Sequence, residues 1–290
     1  MTAQLRKKAT NNMDSSTLNK LLESFCHITD AFYFDVTDST NQRAKQYIQD
    51  NDGAAVNTPC LFISEVQTAG RGRLGRSWDS PANEGIWMSY LCKPKLSPDQ
   101  IPAITLLAGL AVARAINSFA LKNNIFNLTA EIKWPNDIVI NSKKVCGILT
   151  ELVGSTSYVI CGIGINVNTL NFPEELLRKA TSLLKESGVI WNREKLISVI
   201  IKNLSDFIAV YEKTGDLDFI LYDYNSLLVN KDKEVILTGS SSPDEKISGE
   251  MTFISRGIDK TGALLVEDSE GNRQAISSGE VSVRGIYGYV

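Results

Sequence analysis

The segment Gly70-Arg71-Gly72-Arg73-Leu74-Gly75-Arg76-Ser77-Trp78 sets three guanidiniums and three glycines within seven consecutive residues, Gly70 to Arg76. Arginine is a planar, permanently charged fork that grips carboxylates and phosphates in a bidentate way. Interleaved glycines let backbone N–H groups approach an anion. The segment therefore asks for an anionic ligand. Taken alone, it fits a solvated basic turn or an arginine–glycine segment on RNA phosphates equally well.

Four further clusters carry polar chemistry. Lys133-Trp134-Pro135-Asn136-Asp137 places a cation, an amide and a carboxylate around a proline-forced break between two strands. Lys144-Val145-Cys146-Gly147-Ile148-Leu149 opens a strand with a lysine and puts a glycine three residues on. Gly162-Ile163-Gly164-Ile165-Asn166 carries glycines at alternate positions, which clears one face of a strand, and Asn166 continues that face. Asp38-Ser39-Thr40-Asn41 is helix-capping sequence. Each has a plain structural reading by itself: a solvated turn, a surface lysine, a thin strand, a cap. The paired glycines are not a dinucleotide fingerprint, because no third glycine leads into a helix.

The chain's absences narrow the chemistry. His27 is the only histidine in 290 residues. Ser-His-Asp triads, Cys-His dyads and histidine-rich zinc sites are thereby excluded from the main body, and catalysis must run on Lys, Arg, Asp and Asn. A net charge of −3 sets the basic loop against an acidic background, unlike a general nucleic-acid binder. Cys26, Cys60, Cys92, Cys146 and Cys161 are odd in number and lack C-x-x-C spacing, which reads as reduced, buried thiols of a cytoplasmic protein. The longest apolar stretch, Ile101 to Leu121, is interrupted by Arg114, Asn117 and Ser118, so neither membrane spanning nor export is expected.

The elements that must position these clusters follow from periodicity. Residues 1–14 are polar, and Leu18, Leu21, Leu22 and Phe25 predict a helix over Ser15 to Phe25. Strands are predicted at Phe32–Val36, Cys60–Glu65 and Ile86–Cys92, with a polar helix from the Ser39 cap to Ile48. The arginine loop then joins two neighbouring strands and can hang over a sheet face. Ala103–Lys122 predicts a helix buried against that sheet, and Arg193–Thr214 an amphipathic one. Strands at Ala130–Trp134, Asp137–Ile140, Lys144–Val153 and Ser157–Val167 favour a mixed, mainly antiparallel sheet. From about residue 230, short alternating segments between Gly, Ser and Asp clusters predict a small all-β barrel. The resulting division is a tail and short helix at 1–30, an α+β catalytic domain at 31–229 and a barrel domain at 230–290.

Together these motifs resemble the biotin protein ligases, called holocarboxylase synthetases in eukaryotes. The match runs in the family's order: S-T-N at 39–41, G-R-G-R-x-G-R-x-W at 70–78, K-W-P-N-D at 133–137, K-x-x-G-I-L at 144–149, G-x-G-I-N at 162–166, and a C-terminal barrel ending V-S-V-R at 281–284. The fold it implies is the class II synthetase-like biotin/lipoate ligase domain followed by an SH3-like barrel. The activity it implies is two-step: ATP and biotin give biotinoyl-5′-AMP and pyrophosphate, then biotin passes to one lysine of a biotin carboxyl carrier protein. The default carrier is the acetyl-CoA carboxylase subunit, other biotin-dependent carboxylases being alternatives.

The resemblance also distributes roles. Arg71, Gly72 and Arg73 would close over biotin and the acyl phosphate, with Gly70 in the same loop. Lys144 would hold the carboxyl oxygen, with Gly147 and Gly164 beside it. Ser39, Thr40, Asn41 and Gln67 would meet the ureido end. Arg73, Arg76, Trp78, Asn136, Asn166 and Arg284 would form the ATP site, Lys133 would meet the leaving pyrophosphate, and Asp137 would orient or deprotonate the acceptor lysine. Mg²⁺ would accompany ATP, held by phosphates and water. The loop is expected to be mobile when empty and ordered by the adenylate.

Fewer than forty residues precede Ser39, too few for the DNA-binding domain of the family's repressor members, so a monofunctional ligase without DNA binding is expected. Edge-strand homodimers occur in the family, and dimer and monomer both stay open. The competing readings are a lipoate or octanoate ligase of the same fold and a non-catalytic biotin-binding or RNA-touching module.

Overall fold

The computed structural model of the protein describes residues 28–51, 56–154, 157–238, 240–242, 245–246, 251–277 and 282–285. The helix predicted at Ser15–Phe25, together with Cys26 and His27, lies outside the described residues.

Seven strands form one sheet: β1 (Asp30–Thr37), β2 (Cys60–Gln67), β3 (Gly85–Cys92), β4 (Glu131–Lys133), β5 (Asp137–Ile140), β6 (Lys143–Val153) and β7 (Tyr158–Asn166). Their order is β1-β2-β3-β7-β6-β5-β4. β1 and β2 run parallel, and every other neighbouring pair is antiparallel. The parallel pair follows from α1 (Thr40–Asp50), which supplies the crossover between its two strands.

The two faces of the sheet differ because side chains alternate along each strand. Cys161, Ile163 and Ile165 of β7 join Ile86 and Met88 of β3 in the core beneath α2 (Ala103–Lys122) and α4 (Arg193–Thr214). Most of α2 is buried, since the sheet lies on one side of it and α4 on another. On the opposite face Ala44 and Ile48 of α1 seal Phe62, Leu91 and Ile160. Beyond them Gly162 and Gly164 make room on that face for the side chains of Asn41 and Trp78. Two short helices, α3 (Leu183–Ser187) and α5 (Leu221–Leu227), were not predicted, being too brief to show a helical period.

A second sheet has the antiparallel order β13-β12-β11-β8-β14, from β8 (Glu234–Thr238), β11 (Met251–Ile258), β12 (Leu264–Glu267), β13 (Arg273–Ile276) and β14 (Ser282–Gly285). The short strands β9 (Ser240–Ser242) and β10 (Glu245–Lys246) pair separately. The turn between β11 and β12 docks on the first domain. Trp134 Nε1 donates to Gly262 O at 3.1 Å, and Leu217 N donates to Lys260 O at 2.8 Å. Gly262 permits this approach, since a Cβ there would lie 2.5 Å from Leu106 Cδ1. The tryptophan of the K-W-P-N-D motif is thus an anchor between domains.

Candidate active site

The arginine loop leaves β2 and returns to β3 as a narrow hairpin. Trp78 N donates to Gly70 O at 2.9 Å, and Gly72 N donates to Arg76 O at 2.7 Å. At its tip Leu74 and Gly75 both take left-handed backbone angles, φ 56° and 72°. This reversal suits glycine; at Leu74 it costs on the order of 1 kcal/mol, and the side chain is exposed. The turn sends Arg73 inward, where its Nη1 donates to Asn136 Oδ1 at 3.0 Å. Burial draws the Arg73 guanidinium below its ordinary pKa, Asp137 opposing and Arg76 adding to that shift.

A polar floor joins α1 to the sheet. Ser39 holds the N-cap position of α1, yet its hydroxyl makes no capping bond. Asp38 Oδ1 takes the Ser39 N–H instead, and Gln67 Oε1 takes the Thr40 N–H at 2.9 Å. Thr40 Oγ1 also reaches Gln67 Oε1 at 3.2 Å, and Gln67 Nε2 donates to Ser80 Oγ at 3.0 Å. Ser89, fully buried on β3, places Oγ 2.7 Å from Thr40 Oγ1 and 2.5 Å from Asn41 Oδ1. Asn41 rests on Gly162, where a Cβ would come within 2.3 Å of its Oδ1.

Lys144 stands at the other end of this floor. Its Nζ is 2.6 Å from Asp137 Oδ1 and 5.2 Å from the Trp78 ring centroid. Its backbone is tied on both sides, N to Lys179 O and O to Thr181 N. Gly147 and Gly164, paired in register across β6 and β7, clear the space that Trp78 occupies. A Cβ at Gly164 would lie 2.7 Å from Trp78 Nε1. That indole nitrogen is buried and has no hydrogen-bond partner among the described residues.

Two cavities meet at this point. The smaller, about 50 Å³, is lined by the floor and by Arg71, Gly72, Arg73, Lys144, Gly147 and Gly164. The larger, about 710 Å³, is lined among others by Arg76, Lys133, Asp137, Asn166, Phe172 and Lys179. Gly72, Arg73, Trp78, Asn136 and Lys144 line both. Two cationic side chains therefore stand where the contents of one cavity would touch those of the other.

The Biotin/lipoate A/B protein ligase family model matches residues 33–168, and the Biotin protein ligase C terminal domain model matches residues 232–284. The chain is 35% identical over 251 residues to the bifunctional ligase/repressor BirA of Bacillus spizizenii, covering 85% of this chain and 72% of that protein. The chain belongs to the biotin protein ligase family. It is also 31% identical over 222 residues to the biotin–[acetyl-CoA-carboxylase] ligase of Mycobacterium tuberculosis, covering 76% of this chain and 77% of that one. The biotin protein ligase from Aquifex aeolicus in complex with biotin and ATP superposes with a TM-score of 0.75 at 30% identity, over 89% of this chain and 100% of that one.

Against the ligase motifs, the structure brings together nearly every residue singled out in the sequence. Ser39, Thr40, Asn41 and Gln67 line the small cavity, and Arg76, Lys133, Asp137 and Asn166 the large one. Gly70 lines neither. It lies at the hairpin root, where a Cβ would be 2.4 Å from Trp78 O, so its contribution is steric. Asn136 spends its amide inside the protein, accepting from Arg73 and donating to Ile148 O at 3.1 Å. Asn166 likewise donates to Thr181 O at 3.2 Å. Arg284 pairs through its backbone with Ile236, and its side chain lies outside the described residues. Its neighbour Val283 lines the large cavity.

Sequence reasoning missed Ser89, Glu151, Phe172, Lys179 and the buried pair Arg193–Glu65. Ser89 carried a usable signal, being a polar residue inside the apolar strand of β3. Arg193 Nη1 lies 3.0 Å from both Glu65 Oε2 and Gly85 O, and Asn83 N donates to the same carboxylate oxygen at 3.1 Å. The pair clamps both strand ends from which the arginine loop springs. Burial, followed by the charge of Glu65, raises the Tyr33 phenol well above its ordinary pKa on the same cluster.

Proposed function

We propose that this chain is an ATP-dependent biotin–protein ligase that passes through biotinoyl-5′-AMP and biotinylates a lysine of a biotin carboxyl carrier protein. The observation that carries this reading is the shared wall of the two cavities, with Arg73 and Lys144 at the junction. The names of the Mycobacterium and Aquifex relatives support biotin and ATP as the substrate pair.

In the first step a biotin carboxylate oxygen attacks the α-phosphorus of ATP, and the bond from that phosphorus to pyrophosphate breaks. No general base is required, because a carboxylate is ionised at neutral pH. The barrier is charge repulsion between an anionic nucleophile and a polyanion. Lys144 and Arg73 offset it at the reacting atoms, while Arg76 and Lys133 face the departing pyrophosphate from the larger cavity. Trp78, Asn136, Asn166 and Arg284 complete the nucleotide side, and Asn136 does so by aiming Arg73. Among the described residues no group of three or more His, Cys, Asp or Glu could hold a metal. Mg²⁺ would accompany ATP, held mainly by its phosphates and by water.

In the second step the neutral acceptor amine attacks the acyl carbon, and AMP leaves. Asp137 orients the acceptor ammonium and takes the proton that it must lose to attack, once Lys144 has turned to the ligand. The arginine loop orders over the adenylate and shields the mixed anhydride from water. The carrier subunit of acetyl-CoA carboxylase is the proposed acceptor, met in the cytoplasm. Incubation with ATP and biotin, followed by mass spectrometry of the bound fraction, tests the reading. Biotinoyl-AMP is expected, and ADP with no adenylate would overturn it.

A further inference from the structure

We propose that Glu151 is a positioning residue that fixes the donor and acceptor polarity of the small cavity's floor and so confers selectivity for a cyclic urea head group. The inference rests on the biotin-activating reading above. Glu151 lines neither cavity. It reaches the floor through Asn41, whose Nδ2 donates to Glu151 Oε2 at 2.7 Å and to Leu149 O at 3.4 Å. Lys45 Nζ, 2.7 Å from Glu151 Oε1, holds the carboxylate in place from α1.

An ionised carboxylate only accepts hydrogen bonds, and so does a backbone carbonyl. Both therefore demand the NH₂ end of Asn41, which turns the amide oxygen across the floor towards Ser89. An amide oxygen cannot donate, so the Ser89 hydroxyl must give its proton to Asn41 Oδ1, 2.5 Å away. Ser89 Oγ is then an acceptor towards Thr40 Oγ1, 2.7 Å away. Thr40 has then spent its hydroxyl proton on Ser89, and it holds the carbonyl end of Gln67 through its backbone N–H at 2.9 Å. The directions of Asn41, Ser89 and Thr40 are each settled by the group before, and the series starts at two acceptors, Leu149 O and the Glu151 carboxylate that Lys45 holds. A ureido ring, with one acceptor and two donors, needs a floor of defined polarity. A lipoyl or alkyl tail has no such requirement, so the relay separates biotin from acyl acids that the fold could otherwise admit.

Glu151→Gln tests this, because the side chain keeps its shape yet can present either end of an amide to Asn41. The expected result is a rise in KM for biotin of about tenfold in pyrophosphate exchange, with kcat within about twofold and the melting temperature little changed. Octanoate, offered as a competitor, should inhibit wild type and variant alike. Asn41→Asp alone sets two carboxylates against each other and should raise KM further. The double variant Asn41→Asp/Glu151→Gln reverses donor and acceptor across one bond while keeping an oxygen towards Ser89. It is expected to recover KM to within about threefold of wild type. A Glu151→Gln KM within twofold of wild type overturns the inference, as does a double variant no better than the worse single one. A fall in kcat and stability with KM unmoved marks a structural role and equally overturns it. Wild-type protein that fails to exchange pyrophosphate with biotin would instead sink the underlying reading, and this inference with it.

Discussion

Lys144 Nζ is held 2.6 Å from Asp137 Oδ1, and the two side chains come from adjacent strands of the sheet. Lys144 stands at the junction of the two cavities and Asp137 lines the larger, so on the proposed mechanism a ligand carboxylate draws Lys144 away from Asp137. That exchange would leave a carboxylate facing the site after biotin has entered, when an acceptor amine needs one. Lys144→Met is expected to lower biotin-dependent pyrophosphate exchange by about 10²–10³-fold. Asp137→Asn is expected to keep exchange within about tenfold and to slow transfer to the carrier by about 10²-fold. Single-turnover measurement of each half-reaction separates the two, and equal losses in both halves for Asp137→Asn would contradict this division of labour.

The alternate glycines make a steric prediction. Gly162→Ala drives a methyl into Asn41 and Gly164→Ala drives one into Trp78, at 2.3 and 2.7 Å from the nearest atoms. Overpacking of this kind costs about 1–3 kcal/mol, and here the strain falls on the cavity lining. Gly162→Ala should raise KM for biotin, since Asn41 must leave the floor. Gly164→Ala should raise KM for both substrates, since Trp78 borders both cavities. Steady-state kinetics with each substrate varied in turn reads the difference, and unchanged constants for both variants would exclude the proposed close approach.

Arg193 is fully buried and paired with a nearly buried Glu65. Removing one partner of such a pair leaves an uncompensated charge, which typically costs about 3–5 kcal/mol. Arg193→Met should therefore lower the urea midpoint substantially, and Glu65→Gln/Arg193→Met should be less destabilised than the single variant. Both should also lose activity, because the clamp holds the root of the arginine loop.

The described cysteines are expected to be inert. Burial pushes the Cys60 thiol up to about 11 and the Cys161 thiol to about 12, and it raises Cys92 and Cys146 as well. A raised thiol pKa means less thiolate, the reactive form, at any pH below it. In a Cys26→Ser variant, maleimide should label no cysteine of the native protein at pH 8 and all four after unfolding. Labelling should appear only as pH climbs towards those raised values or as the fold opens, and rapid native labelling at pH 8 would contradict this burial.

Much of the catalytic geometry was legible in the chain. The arginine loop lay between two apolar strands, so its sheet-face placement followed, and alternate glycines in β7 announced a cleared face. The α2 and α4 helices declared themselves by long periodic patterns, with Gly215 closing α4 in a left-handed conformation. What escaped notice were contacts made across the chain. Asn41 meets Glu151 over a separation of 110 residues and Ser89 over 48. Neither partner belongs to a motif, and a glutamate on a strand reads as solvated until its neighbour is known. The hold of Asn136 on Arg73 was hidden for the same reason, since its partners Arg73 and Ile148 O are brought to its amide only by the fold.

Biotin-dependent exchange of pyrophosphate into ATP, followed by addition of an apo biotin carboxyl carrier domain, tests the shared junction most directly. Exchange that requires biotin, is lost in Lys144→Met, and is followed by biotin on a single carrier lysine is the expected result. Exchange driven equally well by octanoate or lipoate, or no transfer to the carrier from a formed adenylate, would contradict it.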